Sequence, residues 1–442
     1  MQFDRFMGTE DTADTAETAN YIDAPLASGT TQAASAGTVV AYPYTGDYRV
    51  DVLLDSDPGN LSVTSRWNYG SPLGTPETIT YSFMNSVPSY GGNQAFTGAT
   101  GFRVFTPQQI QVAGDIFKNL TLELGINFVE VPDGGSGFGQ IRLGQNDQSG
   151  ASTAGYTWLP NSGDDNVAGY GLSGDVWIDY TYAPNHTLSP GSEGLETLVH
   201  EIGHALGLKH PGDYNAGDTG TSSLPGNYLG AAEDNTNYTV MSYTYTDQPR
   251  DWYGTYDLLA LKALYGADSA FNAGATTYSY TDTDGRILKI IDDASGSDTI
   301  NLSALTLGAT VDLRPGAFSS IGRDFFGAPA VGNLSIDLQT SIENVTGTNY
   351  ADHIILNSGT ASAYGGFGID TVQYMSSRAA YTVTPSGNSL HVTGGGMDDS
   401  LTTVERLQFS DGKFAFDFSG NAGMTAKILG VIFHQGSTPD PA

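Results

Sequence analysis

The chain has 442 residues, room for two or three domains, and its 48 acidic against 17 basic side chains give a formal net charge of −31. That balance excludes a nucleic-acid partner, because contacts to phosphates need a basic face. The complete absence of cysteine excludes a disulfide framework and thiolate metal ligation. No run approaches the ~18 consecutive apolar residues of a transmembrane helix. Part of the negative charge is an ordinary solvated surface. Abundant aspartate beside 57 glycines also suggests turns that bind metal ions.

In chain order, Met1-Gln2-Phe3-Asp4-Arg5 and the Thr/Ala/Asp/Glu-rich sequence to about Ala24 lack the basic and apolar regions of a Sec signal peptide. Residues 1–46 read either as a propeptide or as a disordered acidic leader. Residues 47–266 alternate strand and helix signals. Thr106-Pro107-Gln108-Gln109 is a capping box with proline at the first helical position, and Ile110, Ala113, Phe117, Leu120 and Leu124 supply the apolar stripe. Strands are expected at Ile126 to Val131, Gln140 to Gly144, Gly155 to Leu159 and Asp175 to Tyr180, and a later helix from Tyr256 to Tyr265, closed by Gly266.

The most informative string is His200-Glu201-Ile202-Gly203-His204-Ala205-Leu206-Gly207-Leu208-Lys209-His210. Histidines at i and i+4 project from one helix face, Gly207 lets the chain turn, and His210 can return to the same point. Leu195, Leu198, Val199, Ile202 and Leu206 form the buried stripe of that helix, Ser192 is its N-cap, and Glu193 and Glu196 favour its dipole. Three imidazoles without a fourth protein ligand mark a catalytic Zn2+ rather than a structural one. Glu201, one residue after the first ligand, is placed to take a proton from the attacking water. The bland alternative is a surface helix with scattered histidines. Three of only 7 histidines falling in this string weigh against it.

The spacing H-E-x-x-H-x-x-G-x-x-H resembles the metzincin metalloproteases, and the continuation His210-Pro211-Gly212-Asp213-Tyr214-Asn215 is similar to the serralysin branch of secreted bacterial proteases. Met241-Ser242-Tyr243 matches that family's Met-turn. The resemblance implies that Met241 lies beneath the zinc. It also implies that Tyr243 ligates the metal in the resting enzyme and stabilises the oxyanion in the reaction. Arg66-Trp67-Asn68-Tyr69-Gly70 leading to Ile79-Thr80-Tyr81-Ser82-Phe83 resembles the opening strands of the family's α+β catalytic domain. Family members lack a Sec signal and are exported in one step.

Residues 267–420 change to short β-like runs and Gly/Asp turns. Gly365-Gly366-Phe367-Gly368-Ile369-Asp370-Thr371-Val372-Gln373 fits the nonapeptide of calcium-binding parallel β-rolls, whose glycines turn carbonyls toward Ca2+ while the aspartate adds charge and the apolar residue packs inside. Weaker echoes stand at Asn349 to Ile354, with Asp352, and at Ser295 to Ile300. An all-β, parallel β-roll-like domain is expected, with a β-sandwich as its rival. The family resemblance implies one further calcium site, from Asn272, Gly274 and Thr276 on one run and Asp293, Ser295 and Asp298 on another. Leu407-Gln408-Phe409-Ser410-Asp411-Gly412 resembles the edge of another module, and Met424 to Phe433 the start of a helix. The closing Gly-Ser-Thr-Pro-Asp-Pro-Ala is not the apolar ending of a one-step export signal, so residues 421–442 read as a truncated or processed module.

The sequence therefore predicts a secreted zinc endopeptidase acting on protein or peptide substrates. Two alternatives stand beside it: a dedicated processing protease of a surface-layer protein, and a calcium-binding adhesion module with a relic zinc site.

Overall fold

The computed structural model describes residues 45–54, 56–57, 60–68, 70–88, 101–134, 137–149, 153–160, 173–212, 228–246, 248–357, 359, 361–417 and 423–425. The leader expected over residues 1–46 lies outside them except at 45–46, as do Tyr69, Asp213 to Asn215 and the C-terminal residues from 426 onward. The chain divides into two compact units, Met1–Phe271 and Asn272–Ala442.

The first unit begins with helix α1 (Tyr48–Asp51) and an antiparallel pair, β1 (Ser56–Asp57) and β2 (Asn60–Thr64). Strand β3 (Glu77–Phe83), helix α2 (Pro107–Glu123), strands β4 (Ile126–Glu130), β5 (Ile141–Asn146), β6 (Gly155–Thr157) and β7 (Asp175–Asp179), then helices α3 (Glu193–Ala205) and α4 (Thr255–Tyr265) follow. The sheet runs β4-β3-β5-β7-β6, with parallel pairings as far as β7 and β6 antiparallel at the edge. Every residue of β5 and β7 is buried, as expected for parallel strands covered on both faces.

The capping box of α2 is present: Gln109 N donates to Thr106 Oγ1 at 3.2 Å, and Thr106 N to Gln109 Oε1 at 2.8 Å. Ala113, Phe117, Leu120 and Leu124 are buried as expected, but Ile110 is exposed and Ile116 and Gln109 face inward. The cap decides this: it turns Gln109 toward the sheet, where its amide donates to Gln145 Oε1 at 3.1 Å. Trp67, Asn68 and Gly70 lie in a turn rather than a strand, and Arg66 precedes it outside any strand. The side chains of Arg66 and Asn68 cap nearby backbone carbonyls, Arg66 Nη2 donating to Ser71 O at 2.7 Å and Asn68 Nδ2 to Thr75 O at 2.7 Å, and such local bonds compete with a ladder.

The second unit holds strands β8 (Thr277–Ser279), β9 (Lys289–Ile291), β10 (Thr299–Asn301), β11 (Thr310–Asp312), β12 (Phe318–Ser319), β13 (Leu334–Ile336), β14 (Asn344–Thr346), β15 (His353–Ile355), β16 (Ser362–Tyr364), β17 (Thr371–Gln373), β18 (Tyr381–Ser386), β19 (Ser389–Gly394), β20 (Met397–Thr402), β21 (Arg406–Phe409) and β22 (Gly412–Ala415). One sheet stacks β20-β16-β14-β10-β8 in parallel, and another stacks β11-β15-β17-β21 in parallel. The chain crosses from the first sheet to the second at each level: β10 to β11, β14 to β15, β16 to β17, β20 to β21. The middle residues Ile300, Val345, Ala363 and Leu401 of one ladder and Val311, Ile354, Val372 and Leu407 of the other are buried in one shared core. This is a parallel β-roll, and the sandwich alternative falls. Leu407 to Gly412 is the roll's last rung and the turn into β22, not the edge of a separate module, because Leu407 pairs in register with Val372. The hairpin of β18 and β19 was not anticipated.

Candidate metal centre and carboxylate ladders

Helix α3 starts at Ser192, whose Oγ accepts from Leu195 N at 3.4 Å, and buries Leu195, Leu198, Val199 and Ile202. Its end requires glycine. Gly207 has φ +102°, and a Cβ there would lie 2.1 Å from the carbonyl oxygen of Ser65. The turn brings His210 back to His200 and His204.

The three Nε2 atoms are mutually 3.1 Å apart. His200 Nδ1 lies 2.8 Å from Val240 O and His204 Nδ1 2.6 Å from Leu208 O. A carbonyl only accepts, so in both rings Nδ1 carries the proton and Nε2 presents a lone pair. Burial pushes the His200 imidazole down to about 4 and holds His204 well below the ordinary range, where the nearby His200 lowers it further. Lone pairs converging without protons repel unless a cation joins them. Nitrogens about 2.0–2.1 Å from a tetrahedral Zn2+ would stand roughly 3.3–3.4 Å apart, close to what is seen. These three histidines can hold a metal ion.

Glu201 is buried beside the triad, and its Oε2 accepts from Thr157 Oγ1 at 2.7 Å. A Cβ on Gly155 would lie 2.9 Å from Glu201 Cγ, so the edge strand β6 shapes the seat of this carboxylate. Met241 is fully buried, with its sulfur against Gly203 between the first two histidines of the string. The Tyr243 ring lies 4.5 Å from that of His210 and 6.0 Å from that of His200, centroid to centroid. Asp257 on α4 pins the turn before Met241, accepting from Val240 N at 2.7 Å and Thr239 Oγ1 at 2.5 Å. Neither Thr157 nor Asp257 stood out in the sequence, because each acts across a long separation with no motif around it.

In the second unit the two runs expected to hold calcium do lie side by side. Gly274 N donates to Ser295 O at 2.7 Å, Thr276 N to Asp298 Oδ1 at 2.8 Å, and Ser295 N to Asp293 Oδ1 at 3.0 Å, while Asn272 adopts a left-handed φ of 52°. Gly365, Gly366, Gly368 and Asp370 form a turn stacked on the one that ends at Asp352. Gly366 and Gly368 have φ +101° and +131°, and Cβ atoms on them would strike Thr348 O and the backbone of Tyr350 and Ala351.

Carboxylates run along both sides of the roll. On one side Ala309 N donates to Asp352 Oδ1, Asp352 N to Asp370 Oδ1 and Asp370 N to Glu405 Oε2, at 2.8, 2.8 and 2.9 Å. On the other, Thr276 N donates to Asp298, Asp298 N to Glu343 Oε2 at 2.9 Å, and Ala361 N to Asp399 Oδ1 at 3.0 Å. The rungs differ in what remains. Both oxygens of Asp352 are engaged, Oδ2 by Thr348 N at 2.6 Å and Oδ1 also by Thr348 Oγ1 at 3.0 Å. Among the described residues, Asp298 Oδ2 and Asp370 Oδ2 are buried with no hydrogen-bond partner. Burial, with the charges of Asp352 and Glu405, pushes the Asp370 carboxyl up to about 7; burial, with Asp293 and Glu343, raises that of Asp298. Orphaned buried carboxylate oxygens beside turn carbonyls fit a hard cation such as Ca2+.

The family described as Peptidase M10 serralysin C terminal matches residues 256–428. The chain is 32% identical over 306 residues to the metallopeptidase AprA of Pseudomonas marginalis, covering 63% of this chain and 60% of that protein. It is 30% identical over 306 residues to a serralysin of Proteus mirabilis, covering 64% and 60%. Serralysin G of Dickeya chrysanthemi is 30% identical over 321 residues, covering 68% and 62%. The chain thus spans about 60% of the length of the curated relatives it matches. The likeness is not confined to the histidine string: the matched family extends through the roll, and the relatives that the chain resembles are serralysins and the related AprA metallopeptidase.

Proposed function

We propose that the chain is a secreted zinc endopeptidase hydrolysing extended polypeptides, with residues 47–266 as its catalytic domain and 267–420 as a calcium-binding roll. The observation that carries the reading is the convergence of three Nε2 atoms at 3.1 Å, those of His200 and His204 unprotonated, with a buried carboxylate next in sequence. His200, His204 and His210 would hold Zn2+, which when bound supplies a Lewis acid that acidifies water and polarises a carbonyl. Glu201 takes the proton of the attacking water and returns it to the leaving amine. The Tyr243 hydroxyl donates to the carbonyl oxygen as it gains charge. An extended substrate would add along the sheet edge at β6, gaining main-chain hydrogen bonds that carry little side-chain preference. Ca2+ is assigned to Asn272, Gly274, Thr276, Asp293, Ser295 and Asp298, and to Gly365, Gly366, Gly368 and Asp370, whereas Asp352 has both oxygens engaged by Thr348 and Ala309. The family resemblance also supports export without a Sec signal. No observation favours a surface-layer protein as dedicated substrate, and among the described residues no helix is long and apolar enough to cross a membrane.

The test is Glu201→Gln. Peptide hydrolysis should fall by 10²-fold or more while zinc content stays near one per chain, since general acid–base catalysis contributes about 10²–10⁴-fold. Activity within about tenfold of the unaltered enzyme overturns the assignment.

A further inference from the structure

We propose that Thr157 is a positioning residue for this reaction, its hydroxyl holding the Glu201 carboxylate in the orientation from which it moves protons. The inference rests on the peptidase reading above. Thr157 ends the edge strand β6, and its Oγ1 donates to Glu201 Oε2 at 2.7 Å across 44 residues of sequence. Both groups are buried, at 1% and 3% exposure, so water does not compete for the bond. A β-branched side chain is stiff about χ1, so the strand backbone sets the direction of the hydroxyl.

The same face of β6 closes the seat from a second side. Residues i and i+2 of a strand share a face, and two positions before Thr157 a Cβ on Gly155 would lie 2.9 Å from both Cγ and Oε1 of Glu201. The flexible glutamate is thereby fitted between a bare backbone and a donor on one strand. That strand is also the sheet edge along which a peptide would align. Substrate engagement and placement of the base are then coupled through a three-residue strand, and Glu201 is held without its acceptor chemistry being replaced.

The test compares Thr157→Val, which removes the hydroxyl at constant shape, with Thr157→Ser, which keeps it. A hydrogen bond to a charged group contributes about 1.5–3 kcal/mol, which is roughly 10- to 100-fold in rate. Thr157→Val should lower kcat by that factor with KM within about twofold, whereas Thr157→Ser should restore kcat to within about threefold. Zinc content should stay near one per chain in both. A crystal structure of metal-free Thr157→Val should show the Glu201 carboxylate turned from its present place. If Thr157→Val fails to fold, Thr157→Ala against Thr157→Ser carries the same comparison. An active unaltered enzyme whose valine variant keeps its kcat, or whose serine variant is as slow as the valine one, overturns this inference alone. A zinc-loaded unaltered chain that cleaves no peptide overturns the peptidase reading and this inference with it.

Discussion

Tyr243 stands 4.5 Å from the His210 ring, near enough to reach a group bound at the triad without being locked inside the core. If its hydroxyl acts on charge that develops only during the reaction, Tyr243→Phe should lower kcat with little change in KM, because only interactions stronger in the transition state accelerate the step. Steady-state kinetics on a peptide substrate decide it, and a change confined to KM would make Tyr243 a substrate-binding residue. The three histidines were readable in the sequence because their spacing is mechanical: four residues make a helical turn and a glycine reverses the chain. Tyr243 stood out only through the family resemblance of Met241-Ser242-Tyr243. Thr157 and Asp257 were not readable, since a threonine in a strand and an aspartate in a first helical turn have many ordinary uses. Only the fold brings them to Glu201 and the Met241 turn.

Short polar segments were harder to read than the helices. Arg66 to Gly70 resembled an opening strand, but the side chains of Arg66 and Asn68 cap carbonyls, and the two-residue turn Gly387-Asn388 that joins β18 to β19 is easily lost among the roll's many other glycine turns. Within the adjoining β20, Asp399 is fully buried, with Tyr374 OH donating to Oδ2 at 3.1 Å and Ala361 N to Oδ1. Burial first, and Asp398 next among the raising influences, push its carboxyl up to about 6, against hydrogen bonds and His391 that pull it down. A folded value above the unfolded one of about 3.9 favours the native state most in acid, and this contribution is lost as pH rises through about 6. Asp399→Asn does not titrate, and the Tyr374 hydroxyl can turn to accept from its amide. Its melting temperature relative to the unaltered chain should therefore rise between pH 4 and pH 8. A difference that is flat across that window would show that Asp399 is not strained when ionised.

The roll as a unit was announced by a single full nonapeptide, yet the structure stacks four levels of paired strands. The repeat is hard to see because each level needs only one inward apolar residue in three, such as Ile300, Ile354 or Val372, and because Thr348 satisfies Asp352 where glycines and a cation would otherwise serve. Ion binding should accordingly be uneven. Calcium removal at constant zinc is expected to lower the thermal midpoint of the full chain, and Asp298→Ala and Asp370→Ala should each shrink that shift. Asp352→Ala should destabilise the chain while altering its calcium response least, as melting curves with and without millimolar calcium will show. Indifference to calcium would make the roll self-sufficient.

The two carboxylate columns also have a direction. In each of these steps the amide of an earlier level is capped by a carboxylate of a later one: Ala309 by Asp352, Asp352 by Asp370, Asp370 by Glu405, Thr276 by Asp298, Asp298 by Glu343 and Ala361 by Asp399. No level is finished until the next has been laid down, so the roll behaves as a zipper with a slider at one end. Loss of Glu405 would open its column from the C-terminal side and let fraying travel toward Ala309, whereas damage at Ala309 would stay where it began.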